Sequence, residues 1–239
     1  MRLVMKGTLV MTLRLLPAAV LLAGLVTTAA CAAEVAMRAT IALPPPAMDA
    51  GFALEKALRE RRSVRAFGPG ALSLAELGQL LWAAQGVTAP PGLRTAPSAG
   101  ALYPLELRVL VGAVAGLEPG LYRYLPAGHR LERGDARDPR PGLAAAAHEQ
   151  SWVRENAALV ILSAEYARTT VKYGQRGVRY AHLEAGHAAQ NLLLAATALG
   201  IGSVIVGAFD DAAVARLIGL PPGEEPLVLI PLGRPGEAQ

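Results

Sequence analysis

The chain has 239 residues, 53% of them hydrophobic and 18% charged, which supports one ordinary core and excludes a disordered protein. Its net charge of +4 is concentrated at the front: residues 1–30 hold Arg2, Lys6 and Arg14 and no acid, leaving 20 basic against 19 acidic side chains. A nearly neutral body excludes a nucleic-acid partner, and a single cysteine, Cys31, excludes a disulfide framework or a cysteine-based zinc site.

Residues 1–31 read as an export signal: a basic start, the apolar run LLPAAVLLAGLV, then the small residues TTAACAA. Cys31 stands where a lipoprotein signal places its lipidated residue. Cleavage near Ala30 or Ala32 is an alternative, and an uncleaved anchor over Leu15–Ala33 is another. The expected location is therefore periplasmic, or membrane-attached on the outer side. Residues 32–50 contain Pro44, Pro45 and Pro46 and read as an extended tether, with the domain covering 51–239.

Asp49 is placed to cap a helix over 51–61, with Phe52, Leu54, Ala57 and Leu58 as its apolar stripe. Ser73 and Glu76 form a capping box for a helix burying Leu74, Leu77, Leu81 and Ala84 and stopping at Gly86. A loop follows from Thr88 to Pro104 and contains PSAGALYP. Alternation predicts a strand over 105–111 and a hairpin with arms at 121–125 and 130–132. A short helix is expected near 141–149, and the apolar run 157–163 reads as a buried strand. A long helix over 176–199 carries a small-residue stripe and a polar stripe of Glu184, His187 and Asn191. A strand at 203–207, a helix capped by Asp210 or Asp211 and ended by Gly219, and a strand at 227–232 complete the chain. The mixture predicts an α/β or α+β domain with a mixed sheet.

Several chemical motifs fail on inspection. Gly200-Ile201-Gly202 leads into a strand and is no dinucleotide fingerprint. There is no phosphate-binding Walker loop and no nucleophile elbow. Glu184 with His187 is only half of a dimetal motif, and His182 with Glu184 lacks the cysteines of a deaminase. His129 and His148 fall in surface-like segments. What remains is RRSVRAF at 61–67, where Arg61, Arg62, Ser63 and Arg65 can converge on one anion. Read alone, that cluster is also compatible with a basic helix end.

Four blocks in order resemble the FMN-dependent nitroreductase superfamily, and within it the SagB-type (ThcOx-like) dehydrogenases: RRSVRAF, PSAGALYP at 97–104, the stretch from Lys172 to Gly202, and VGAFDD followed by IPLGRP. The likeness runs from about Phe52 to Pro235. It implies an α+β three-layer sandwich with a mixed central sheet, forming an intertwined homodimer with FMN at the interface. By position Arg61, Arg62, Ser63 and Arg65 would hold the flavin phosphate and ribityl end, with Arg234 completing the phosphate site. Pro97, Ser98 and Ala99 would approach from the partner subunit, and Val206, Gly207 and Ala208 would line the ring. Two departures stand out: the chain ends at Gln239 without the longer basic tail of typical members, and Ala101 replaces a frequent asparagine.

The resemblance implies hydride transfer to or from flavin. It also places Lys172-Tyr173 on a pair that removes protons in the azoline-oxidising branch, where a desolvated lysine acts as base. Export removes the chain from NAD(P)H, which favours a dehydrogenase acting on a small-molecule or peptide substrate over an NAD(P)H-dependent nitroreductase. A flavin-binding protein without turnover is the reading from another class.

Overall fold

The computed structural model describes residues 39–49 and 51–236, which belong to one compact unit. The export signal, Cys31 and the anchor alternative lie outside these residues. No helix among the described residues is long and apolar enough to cross a membrane.

In chain order the elements are β1 (Thr40–Ala42), α1 (Leu54–Glu60), β2 (Phe67–Gly68), α2 (Leu74–Gln85), β3 (Val87–Ala89) and β4 (Leu93–Arg94). A 3-10 turn at Ala99–Ala101 precedes β5 (Leu105–Val111), β6 (Gly120–Leu125), β7 (Arg130–Arg133), α3 (Arg140–Ala146) and α4 (Ser151–Arg154). Then come β8 (Ala158–Glu165), α5 (Ala167–Tyr173), α6 (Arg176–Ala198), β9 (Gly202–Ser203), α7 (Asp211–Ile218) and β10 (Glu224–Pro235).

The main sheet runs β1-β7-β6-β5-β8-β10-β2, with β9 also on β10. Every strand pair in it is antiparallel, where a mixed sheet was expected. The physical reason lies in the connections: β5, β6 and β7 follow one another as a meander, and β8 returns alongside β5 in the opposite sense. Among the described residues the one parallel contact is an isolated bridge, Leu72 to Val114.

Two helical layers cover the sheet, giving the expected three-layer α+β sandwich. Val160 and Leu162 of β8 face the core under α2 and α6, while Leu159 and Ile161 face the core under α3, α4 and α7. Coverage of both faces is why β8 reads as an unbroken apolar run. On α2 the Ser73 hydroxyl accepts from the Glu76 amide and the Glu76 carboxylate from the Ser73 amide, the predicted capping box. Leu77, Leu80 and Leu81 beneath it are fully buried, each contributing about 2 kcal/mol.

Some elements depart from expectation. The stretch expected as a tether contains β1, whose residues pair with β7, and Ala47 donates to Gln79 Oε1 at 2.7 Å. β1 precedes the prolines, and its β-branched Thr40 and Ile41 suit the open edge of the sheet that β7 offers. α1 starts at Leu54 with no side-chain cap, and Leu54 and Leu58 of the predicted apolar stripe stay exposed. The loop at 88–104 contains the β3–β4 hairpin. The strand expected at 203–207 is reduced to Gly202–Ser203 and a single bridge from Val206 to Leu229. β10 is longer than 227–232, with Pro226 at a bulge before Val228 and Pro231 inside the strand.

α4 is absent from the sequence reading because four residues are too short to display a helical period, and α5 because ARTTVKY carries no apolar stripe. α5 packs tightly on α6: a Cβ on Gly177 would lie 2.7 Å from the Thr169 carbonyl carbon. Gly177→Ala is therefore expected to destabilise the fold by about 1–3 kcal/mol. A melting temperature equal to that of the parent chain would refute that crossing.

Candidate functional site

The arginine stretch is held by backbone rather than by its side chains. The Arg61 amide closes α1 on Ala57 O, the Val64 amide donates to Ser203 O at 2.9 Å, and the Gly236 amide donates to Ala66 O at 2.9 Å. β2 pairs Phe67 with Pro235. Residues 61–67 are thus pinned between β9 and the end of β10, with Arg62, Ser63 and Arg65 exposed and Arg61 half-buried.

The arginines differ in what they are free to do. Arg62 folds back so that its Nη1 donates to Arg59 O at 2.9 Å and Arg61 O at 2.8 Å, satisfying the last carbonyls of α1. Arg65 lies over the Trp152 ring at 5.7 Å. The Arg61 and Ser63 side chains make no hydrogen bond or ion pair among the described residues. Arg234, expected to complete a phosphate site, is instead forked onto Glu76 with both bonds at 2.8 Å, and also donates to Ala71 O. Burial pushes the Glu76 carboxyl up, but Arg234 and the Ser73 amide and hydroxyl together hold it below its ordinary value. Arg234 therefore braces α2 against β10 beside the arginine stretch.

The second segment, 206–208, begins at Val206, whose amide and carbonyl pair with Leu229 at 2.8 and 2.9 Å. Gly207 and Ala208 are exposed, their amides have no partner among the described residues, and a Cβ on Gly207 would meet nothing within 4 Å. Gln150 Nε2 reaches Ala208 O at 3.2 Å. The turn into α4 thus touches both segments: Gln150 holds Ala208, and Trp152 carries Arg65. Sequence reasoning missed Gln150 and Trp152. The available signal was slight, one of two tryptophans in a stretch with no clear period.

The third segment, Pro97-Ser98-Ala99, is held by α6. Glu184, 4% exposed, accepts from the Ala99 amide at 2.8 Å, and Asn191 Nδ2 donates to Thr95 O at 3.3 Å. The Ser98 hydroxyl accepts from the Tyr103 amide at 2.9 Å. The polar stripe on α6 is therefore the loop's anchor. Gly100, at φ +63°, sits under α5: a Cβ there would lie 2.8 Å from Tyr173 Oη and 2.9 Å from Lys172 Nζ. The two side chains expected to move protons thus converge on the loop expected to approach the cofactor. Lys172 is exposed in this chain, not desolvated. Gly100 meets both requirements, a left-handed backbone and no Cβ.

Burial pushes the Glu184 carboxyl above its ordinary value, against the Ala99 amide and Ser98 hydroxyl that favour the charged form. Where a folded carboxyl keeps a proton that the unfolded chain has released, stability falls as pH rises. The window begins at the ordinary value of 4.5 and extends upward. Glu184→Gln is expected to flatten the stability–pH curve in that window, measured by denaturant melts. An unchanged curve would remove Glu184 as its source.

No hydrogen bond or ion pair among the described residues joins the loop at 97–101 to residues 61–67 or 206–208. A cavity of about 1190 Å³ lies elsewhere, between α3, α7 and a charged part of the sheet. Its floor holds the Arg108–Glu224 pair with Ser163, and Glu106 paired with Arg123 and Arg168. Arg168 also pairs with Glu165, so three arginines meet three carboxylates there, and none of the expected site residues lines the cavity.

Residues 58–234 match the Nitroreductase family. The chain belongs to that family. It is 46% identical over 181 residues to MJ1384 of Methanocaldococcus jannaschii, a protein provisionally named a nitroreductase, covering 76% of this chain and 90% of that one. Among solved structures, a Ralstonia eutropha protein given the same provisional name superposes with a TM-score of 0.71 at 28% identity, over 85% of this chain and 92% of its own. The Escherichia coli microcin synthetase McbBCD complex shares the fold at 24% identity and a TM-score of 0.66, covering 82% of this chain and 76% of the matched chain.

As a member of the nitroreductase family this chain is an oxidoreductase of flavin type. Its residues fit such a group on three counts. Arg61 and Ser63 are uncommitted donors, the Gly207 and Ala208 amides are exposed and unpaired, and the space beyond Gly207 is open. Arg62 and Arg234 already serve the fold, whereas the Arg61, Ser63 and Arg65 side chains hold no hydrogen bond or ion pair among the described residues.

Proposed function

We propose that this protein is an FMN-dependent oxidoreductase of the SagB dehydrogenase type, acting on a small-molecule or peptide substrate outside the cytoplasm. The observation that carries the reading is the convergence of Lys172 Nζ and Tyr173 Oη on Gly100 of the PSAGALYP loop. A nitroreductase fed by NAD(P)H has no need of a base beside that loop, whereas a dehydrogenase must remove a proton from its substrate.

When bound, FMN supplies a two-electron acceptor for hydride. Arg61, Ser63 and Arg65 hold its phosphate, and Gly207 and Ala208 offer amides to its ring. Glu184 keeps Ser98 and Ala99 in place, and Gly100 leaves room for the two side chains behind them. Lys172, with Tyr173 beside it, takes the proton from the substrate atom next to the bond that loses hydride. Oxygen or another acceptor would take up the electrons.

A second copy of the chain completes the site by bringing its 97–101 loop to the first copy's arginine stretch. Exposed Leu54 and Leu58 of α1, with Leu183 of α6, supply apolar surface for that contact. Cys31 lipidation, or cleavage beside it, attaches or releases the protein at the outer side of the membrane.

The family name supports the alternative of an NAD(P)H-dependent nitroreductase. The absorbance spectrum of the purified full chain tests the cofactor: a yellow protein releasing FMN on denaturation is expected. Anaerobic mixing then separates the two activities. Bleaching by NADPH, with none by azoline-containing peptides or other oxidisable substrates, would sink the dehydrogenase reading.

A further inference from the structure

Trp152 is a buried donor that the oxidoreductase reading leaves without a role. Its ring packs against the core under α3, α4 and α7, and its indole N–H is buried with no acceptor. A buried donor left unpaired costs stability, and such a group in a folded protein calls for a partner.

Two other buried side-chain atoms share that state among the described residues, His129 Nε2 and Asn156 Oδ1. His129 still bonds Tyr124 through Nδ1, by the turn between β6 and β7. Asn156 is anchored through Nδ2, which donates to Trp152 O and Val153 O. Trp152 alone of the three adjoins the candidate site. Arg65 lies on its ring at 5.7 Å, and two residues earlier Gln150 holds Ala208 O. The indole thus lies beneath the arginine stretch, in a helix whose preceding residue Gln150 reaches the 206–208 segment.

We infer that Trp152 is a ligand-contacting residue of this site, its N–H donating to an oxygen of the bound cofactor once Arg65 has left the indole face for the same group. An exposed guanidinium–indole contact is weaker than a charge-assisted bond to an oxyanion, so an arriving phosphate draws Arg65 away. Arg65 is exposed and free to swing, while the indole is fixed by the core beneath it. The inference rests on the FMN reading, and its test separates the two.

The chain holds two tryptophans, Trp82 and Trp152, so ¹⁵N-indole labelling of the full chain gives two resonances, assigned by Trp152→Phe. On saturation with FMN the Trp152 N–H proton is expected to move downfield and exchange more slowly with solvent, while that of Trp82 stays near its place. Trp152→Phe keeps an aromatic ring for Arg65 and removes the pyrrole ring that carries the donor, and is expected to bind FMN about tenfold more weakly. A Trp152 resonance that moves no more than that of Trp82, or parent-like affinity in Trp152→Phe, overturns the inference alone. A parent chain that takes up no FMN overturns the cofactor reading and this inference with it. Should Trp152→Phe fail to fold, the resonances of the parent chain decide, with assignment by Trp82→Phe.

Discussion

The double variant Arg61→Ala/Arg65→Ala is expected to bind FMN about a hundredfold more weakly than the parent chain, with riboflavin affinity changed by less than about threefold. The difference between the two ligands is the phosphate, so the ratio of their affinities isolates the anion clamp. The structure sharpens which arginines matter. Arg62 is spent on Arg59 O and Arg61 O, and Arg234 on Glu76. Their alanine variants are expected to lower stability more than they lower the FMN-to-riboflavin ratio. Flavin fluorescence titration against both ligands measures all of this. If Arg62→Ala lowers the ratio more than the double variant does, the assignment of the clamp to Arg61 and Arg65 fails.

Lys172→Ala is expected to reduce turnover by about 10²–10³-fold with flavin content unchanged, the loss typical of removing a positioned base. Tyr173→Phe, which keeps the ring edge-to-face with Tyr180 at 5.1 Å and removes only the hydroxyl, is expected to cost about tenfold. Stopped-flow bleaching of the flavin by substrate places the loss in the step that removes the proton. Reoxidation should proceed at the parent rate in both variants, since neither side chain is needed once the substrate has reacted. Unchanged bleaching in Lys172→Ala would remove the lysine from the mechanism and return the chain to the nitroreductase alternative.

Much of the fold was legible in the chain because its signals are local. The capping box at Ser73 and Glu76, the Asp210 cap with Gly219 at φ +64°, and the apolar run of β8 each depend on a few adjacent residues. α4, α5 and β1 were not legible, because such short elements form only when a neighbour pairs with or packs on them. β1 needs the edge of β7, and α5 needs the side of α6 that Gly177 leaves open.

The candidate site divides the same way. Residue type and order along the chain determined its membership: an arginine stretch, a Pro-Gly-Ser loop, a Lys-Tyr pair and a Val-Gly-Ala turn. Sequence also determined the family, since four blocks in register over most of a domain fix a fold. Only the tertiary structure decided how those residues are employed. It committed Arg62 to a helix end and Arg234 to Glu76, and it left Arg61 and Ser63 uncommitted. It placed Lys172 and Tyr173 beside Gly100 and made Glu184 the anchor of the loop. It also brought forward Gln150 and Trp152. The physical reason is that a side chain's chemistry is intrinsic, whereas its availability depends on which donors and acceptors lie within about 3 Å, set by distant parts of the chain.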